Sequence, residues 1–169
     1  IAKGGTSSIF GEAIMWLKNS GIVNQVYKTT AELPLEMHKD LSSFKLYMSD
    51  VGLFVNKARY PLYQVDLSQQ PVMIAMGPLT ENYVANELRV KGYDLYYWES
   101  DGKAELDFMI QKETDIVPIE VKTSVHTKAR SLDLYMKTYS PNYAVRISEK
   151  NFGFENNIKS VPLYAVFGI

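Results

Sequence analysis

Asp107, Glu120 and Lys122 occupy positions where metal and phosphate chemistry becomes possible once two short segments pair as strands. Residues 104–111 alternate apolar and polar side chains, 112–115 form a polar turn, and 116–123 are rich in β-branched residues, so the pattern predicts a hairpin. With the turn at 112–115, Gln111 faces Ile116 and Ile110 faces Val117. Counting back sets Asp107 opposite Glu120 and Glu105 opposite Lys122. Directly opposed residues share a sheet face with Cβ atoms roughly 4.5–5.5 Å apart. Lys122, two residues beyond Glu120, shares that face. Leu106, Phe108, Ile110, Val117, Ile119 and Val121 would then form the core on the other face. Two carboxylates at this spacing repel unless a cation lies between them, and oxygen ligands of this kind suit Mg²⁺ or Mn²⁺. The lysine would not bind the metal; it could orient a water or neutralise charge on a phosphate.

Glu81 adds a fourth group. At 100° per residue it falls between Val84, Ala85 and Leu88, on the inward arc of a predicted helix. A carboxylate on the apolar side of a helix needs a partner, and the same metal site is a candidate. Glu87, Arg89 and Lys91 fall on a solvated face. Glu105 could be a further ligand, but is more simply the ion-pair partner of the lysine opposite it.

The elements that position these groups are best punctuated in residues 77–169. Gly77-Pro78 is expected to open a helix that runs to about Lys91 and closes at Gly92. An aromatic strand over 93–99 follows, then a Ser-Asp-Gly turn and the hairpin described above. Leu132, Tyr135, Met136 and Tyr139 predict a helix over 128–139, with Pro141 beyond its end. Strands are expected at 142–148 and 160–167. In residues 1–76, a helix over 12–20 ends at Gly21 and a strand follows over 22–27, while 33–43 reads as loop. Residues 44–54 form a mixed element broken by Gly52, and 60–71 a connector. Tyr93, Tyr96, Tyr97 and Trp98 could stack on bases, with core packing the simpler role. His38 and His126 have no sequence partner, although His126, just past the site strand, could touch a phosphate.

Composition bounds the chemistry. The 169 residues contain no cysteine, which excludes disulfides, thiolate-held metals and thiol nucleophiles. Eighteen Lys and Arg stand against nineteen Asp and Glu, a balance unlike that of a generally basic nucleic-acid binder. The charge is nevertheless polarised: residues 81–115 carry a net −5 and residues 122–137 a net +3. Lys128 and Arg130 extend a small basic strip from Lys122 along the following helix, where a phosphate backbone could lie weakly and salt-sensitively. No apolar run approaches the roughly 20 residues of a membrane span. Glu12 interrupts the one stretch that could serve as a signal peptide, so a cytoplasmic location is expected. The chain opens Ile1-Ala-Lys-Gly-Gly5 and reads as a fragment of a larger protein.

Gly77-x-x-x-Glu81, Asp107 and Glu120-Val-Lys122 in α-β-β-β-α-β order resemble the PD-(D/E)XK nuclease superfamily, with its restriction-endonuclease-like α/β fold. Phe44-Lys-Leu-Tyr-Met-Ser-Asp-Val-Gly-Leu53, Glu81-Asn-Tyr-Val-Ala-Asn-Glu-Leu88, Glu105-Leu-Asp-Phe-Met-Ile110 and Ile119-Glu-Val-Lys-Thr123 resemble one branch more closely. That branch is the C-terminal region of uncharacterised bacterial and archaeal AAA-type ATPases. The resemblance implies a mixed sheet flanked by helices over 77–169, preceded over 1–76 by a truncated winged-helix-like remnant and connector. It further implies that Asp107, Glu120 and the Val121 carbonyl hold Mg²⁺ or Mn²⁺, with Glu81 reaching the ion through water or binding a second one. Lys122 would position the attacking water. Ser131, in the place of the superfamily's helix motif, joins Lys128 and Arg130 as a candidate nucleic-acid contact. Leu106 replaces the proline of the PD signature, and the Gln-x-x-x-Tyr helix motif is absent. ATP would belong to the N-terminal ATPase domain, since no phosphate-binding G-x-x-x-x-G-K-[S/T] loop occurs here. The expected function is Mg²⁺-dependent hydrolysis of DNA phosphodiesters. The alternative is an inactive nuclease-fold module that binds protein or nucleic acid. DNA, the ATPase domain and a second copy of the chain are the expected partners, and a membrane is not.

Overall fold

The computed structural model describes residues 7–59, 71–100, 102, 104–123 and 130–169, with side chains for all of these except 7–9 and 71–75. A single eight-stranded mixed sheet in the order β2-β1-β3-β4-β5-β6-β8-β7 organises the chain. Helix α1 (Ser7–Asn19) leads into β1 (Val23–Thr29) and, after a 3-10 turn at Leu35–His38, β2 (Lys39–Met48). Helix α2 (Val51–Lys57) precedes the long helix α3 (Pro71–Val90), followed by β3 (Tyr96–Ser100), β4 (Ala104–Lys112) and β5 (Asp115–Val121). Helix α4 (Arg130–Tyr139) then connects to β6 (Ala144–Ser148), β7 (Gly153–Glu155), β8 (Ile158–Pro162) and a closing 3-10 turn, Leu163–Gly168.

Each sheet face buries its own cluster. Val84, Ala85 and Leu88 of α3, all fully buried, pack on Val26, Phe108, Ile110, Ile119 and Ile147. Leu132 and Tyr135 of α4 cover Trp98, Leu106 and Met109 on the opposite face. Two helices on two faces leave the central strands almost dry, and β3 buries Tyr96, Tyr97 and Trp98 as core. The crossover through α4 makes β5 and β6 parallel, while β1 runs parallel to β3 and joins the N-terminal strands to the same sheet.

Several elements depart from the sequence reading for identifiable reasons. Residues 33–43, read as loop, hold the 3-10 turn and the start of β2, because pairing with β1 overrides a weak local pattern. Asp50 caps α2 by accepting from the Leu53 N–H at 2.6 Å, so the element read as broken at Gly52 is a strand followed by a helix. Helix α3 begins at Pro71 rather than Gly77 and carries Pro78 within it. It ends where expected, with Gly92 at φ +87°. The expected strand over 160–167 is β8 plus a 3-10 turn, and β7 is additional.

Candidate functional site

The β4–β5 ladder has the predicted register, from Gln111 opposite Ile116 to Phe108 opposite Ile119, and pairing stops there. On its other side β4 is irregular. Tyr96 pairs with Met109 but Trp98 pairs with Leu106, so β4 takes three steps where β3 takes two. The extra residue falls at Asp107 and Phe108, a β-bulge of the kind that re-aims a side chain. It also turns Leu106 to the α4 face while Phe108 stays on the α3 face. The single core face expected for Leu106, Phe108 and Ile110 is therefore split.

The bulge explains how Asp107 is held. Backbone N–H groups alternate in direction along a strand, and the Lys122 N–H donates to Ile147 on β6 at 2.8 Å. The Val121 N–H must then point toward β4. Asp107 Oδ2 accepts it at 2.7 Å. A carboxylate has replaced a ladder carbonyl, and β4 and β5 part at this point. Val121 itself is buried in the α3-side core. Burial, then the charges of Glu120 and Glu81, push the Asp107 pKa up to about 7, against the pull of the Val121 N–H and Lys45.

Glu120 is buried, with 2% of its surface exposed. One carboxylate oxygen pairs with Lys122 Nζ, and Oε2 has no hydrogen-bond partner among the described residues. Burial raises its pKa, and Lys122 and Arg146 work against that rise. Arg146 stands directly across from Glu120 on β6, and its Nε is likewise buried with no partner among the described residues. A buried carboxylate oxygen left unmatched is costly, and such an atom fits a hard cation that seeks oxygen.

Helix α3 brings Glu81 to the same region. The Asn82 side chain anchors that part of the helix to the end of β2. Its Nδ2 donates to the Met48 carbonyl at 2.9 Å, and its Oδ1 accepts from the Met48 N–H at 2.7 Å. Glu81 Oε1 then accepts from the Tyr47 hydroxyl and lies 3.3 Å from Lys45 Nζ. Lys45 also pairs with Glu105 and sits 5.1 Å from the centre of the Tyr97 ring. Burial opposes the Lys45 charge, but Glu81 and Glu105 outweigh it and its pKa is raised. Burial and the Glu81 charge push the Tyr47 hydroxyl far up, so it remains a donor. Glu105 is therefore the partner of Lys45, and Lys122 pairs with its own strand neighbour; the expected Glu105–Lys122 pair does not form.

Asp107, Glu120 and Glu81 thus lie within reach of one another's charge, and Lys122 joins them through Glu120. Among the described residues, no three His, Cys, Asp or Glu side chains are arranged to enclose a metal ion as they stand. Lys128 lies outside the described residues, as does His126. Arg130 and Lys137 are exposed on α4, and Ser131 is half-buried at its start. No hydrogen bond or ion pair among the described residues ties these three to the carboxylates. Sequence reasoning missed Lys45, Tyr47, Asn82 and Arg146. The available signal was Lys45-x-Tyr47 alternating along one strand face; the contacts themselves join elements far apart in the chain.

No helix among the described residues is long and apolar enough to cross a membrane. No curated protein and no solved structure matches the chain significantly. A family profile does match, over residues 76–166, more than half of the chain. Those residues include Glu81, Asp107, Glu120 and Lys122 but neither Lys45 nor Tyr47. The chain belongs to this family, the domain of unknown function DUF4143, which is typically found in AAA-ATPase-associated proteins.

Proposed function

We propose that residues 77–169 are a PD-(D/E)XK nuclease-like domain of an AAA-type ATPase that hydrolyses DNA phosphodiesters with Mg²⁺ or Mn²⁺. The observation that carries this reading is Glu120, buried on β5 with Oε2 unmatched, next to Lys122 and within the field of Asp107. The order α3, β3, β4, β5, α4, β6 supports a restriction-endonuclease-like core. Residues 1–76, the winged-helix-like remnant and connector, add β1 and β2 beside it.

Asp107 and Glu120 would hold the cation, with the Val121 carbonyl and Glu81 completing the oxygen set. When bound, the ion would supply Lewis-acid stabilisation of the phosphate and a more acidic water. The protein's own groups prepare that step. The Val121 N–H fixes Asp107 at the opening between β4 and β5. Lys122 neutralises Glu120 in the resting state and is near enough to orient an attacking water or meet phosphate charge. Arg130 and Ser131 would offer a weak contact to the phosphate backbone, and DNA would be delivered mainly by the rest of the full-length protein, where ATP would also bind.

Nicking of supercoiled plasmid by wild type with Mg²⁺ or Mn²⁺ tests the reading. Lys122→Ala and Asp107→Ala should each reduce the rate by at least about 100-fold, as removal of a charge-stabilising group does. Nicking that survives Lys122→Ala at full rate arises elsewhere and overturns the assignment.

A second reading, a nuclease-fold module that docks a protein or a second copy of itself, is favoured by one observation. Phe152, Phe154, Tyr164 and Phe167 near the C-terminus are each 60–71% exposed. Concentration-dependent sedimentation that Phe154→Asp abolishes would support it; a monomer at all concentrations would remove the self-association form.

A further inference from the structure

The carboxylates assigned to the cation are already partly occupied by the protein's own ammonium groups. Lys45 Nζ pairs with both Glu81 and Glu105, while Tyr47 donates to the same Glu81 oxygen. Asp107 is close enough to Lys45 that the lysine lowers its pKa. Lys45 is three-quarters buried, so its charge is poorly screened. It comes from β2, outside the residues matched by the family.

From this arrangement we propose that Lys45 is a tethered counter-ion of the carboxylate cluster, held against Glu81 in the cation-free protein and competing with a divalent ion for it. The inference rests on the cation site proposed above and deepens it. An ammonium on a strand cannot leave, but its stem is flexible, and Glu105 offers a second anchor. On cation binding Lys45 gives up Glu81 and keeps Glu105. The cluster therefore avoids uncompensated repulsion when empty, at the expense of divalent affinity. Lys45 is a positioning residue in this scheme and touches no reacting atom.

Competition makes an unusual prediction about sign, because removing a positioning residue normally weakens binding. Mn²⁺ affinity of the whole chain, measured by electron paramagnetic resonance of free Mn²⁺ and by calorimetry, should become tighter in Lys45→Met. The increase should be about tenfold, the scale of removing one charge a few ångströms from a divalent ion in a partly screened site. Lys45→Arg, which keeps the charge, should bind close to wild type. Tyr47→Phe, which removes a neutral donor, should change affinity less than about threefold. If Lys45→Met does not fold by circular dichroism, Lys45→Gln carries the same test. Equal or weaker Mn²⁺ binding in the neutral variants, with wild type binding, overturns the counter-ion role and leaves the cation site standing. Absence of Mn²⁺ binding in wild type and neutral variants alike overturns the cation site, and the counter-ion role with it.

Discussion

Two carboxylate–lysine groups meet at the site, and they are built at different ranges along the chain. Glu120 and Lys122 are two residues apart at the end of β5, and Glu120 is buried with an oxygen unmatched among the described residues. Glu81 meets Lys45 and Tyr47 across 36 and 34 residues, and its side chain keeps 26% exposure. Strand alternation puts the first pair on one face, and the bulge at Asp107 leaves Lys122 to Glu120 by taking Glu105 away. The second exists only because Asn82 clamps α3 to the end of β2. In the local pair desolvation dominates, because little water is left to share the charge. In the long-range group several modest contacts divide it. Breaking the local pair should therefore be costly and pH-dependent, and breaking the distant group cheaper and spread over several residues.

The largest effect is expected from Lys122→Met, which strips a buried carboxylate of its cation. The loss should be about 3 kcal/mol at pH 8. Burial holds the folded pKa of Glu120 above its ordinary value, and without Lys122 it rises further. The native state then binds a proton that the unfolded chain has released, so stability falls as pH rises from the unfolded pKa through the folded one. The penalty should shrink toward pH 4.5, where Glu120 enters the native state protonated. Denaturant melts at pH 5 and pH 8 check this; a pH-independent loss would mean that packing, not charge, is what Lys122 supplies.

Next in size is the clamp. Asn82→Ala leaves the Met48 N–H and carbonyl without their partners and should cost about 2 kcal/mol. Faster hydrogen exchange of the Met48 amide, with exchange in β5 unchanged, would localise the damage to the long-range half. Uniform acceleration through both strands would show that the two halves are not separate.

Asp107 belongs to both halves, since Glu120 and Glu81 both raise it. Its pKa rises from 3.8 to about 7 on folding, so the native state is the better proton binder between those values and stability declines with pH across that window. Glu120, whose pKa burial also raises, shares that titration and adds to the decline. Asp107→Asn should flatten it in a series of thermal melts from pH 4 to 8. An unchanged slope would assign the titration to Glu120 alone.

The same division marks what the sequence could carry. The β4–β5 register was legible because a short turn and period-two alternation fix it locally, and the next residues beyond the end of that ladder are Asp107 and Glu120. Glu81 was legible from helical periodicity against Val84, Ala85 and Leu88. The bulge at Asp107 was not, because it depends on how β4 pairs with β3 on its far side. That one irregularity moved Leu106 to the other face and released Glu105 from Lys122 to Lys45. Arg146 faces Glu120 only through a parallel pairing across the α4 crossover, for which no local pattern exists. Strand β2 was hidden because its alternation is poor and its pairing with β1 supplies the order.

The smallest effect expected is Tyr47→Phe, and it is the sharpest probe of the distributed half. Its ring is buried against Phe108, with centroids 5.4 Å apart, and the substitution keeps that packing. What is lost is one hydroxyl donated to Glu81. Lys45 remains on the same oxygen and partial exposure lets water replace the phenol, so the loss should be about 1 kcal/mol. If the group shares its charge among several contacts, Tyr47→Phe combined with Lys45→Met should cost more than the two single losses added, since the second removal leaves Glu81 with neither donor. Simple additivity in this double-mutant cycle would mean that each contact acts alone, and the Glu81 group would then be two independent pairs that happen to share an oxygen.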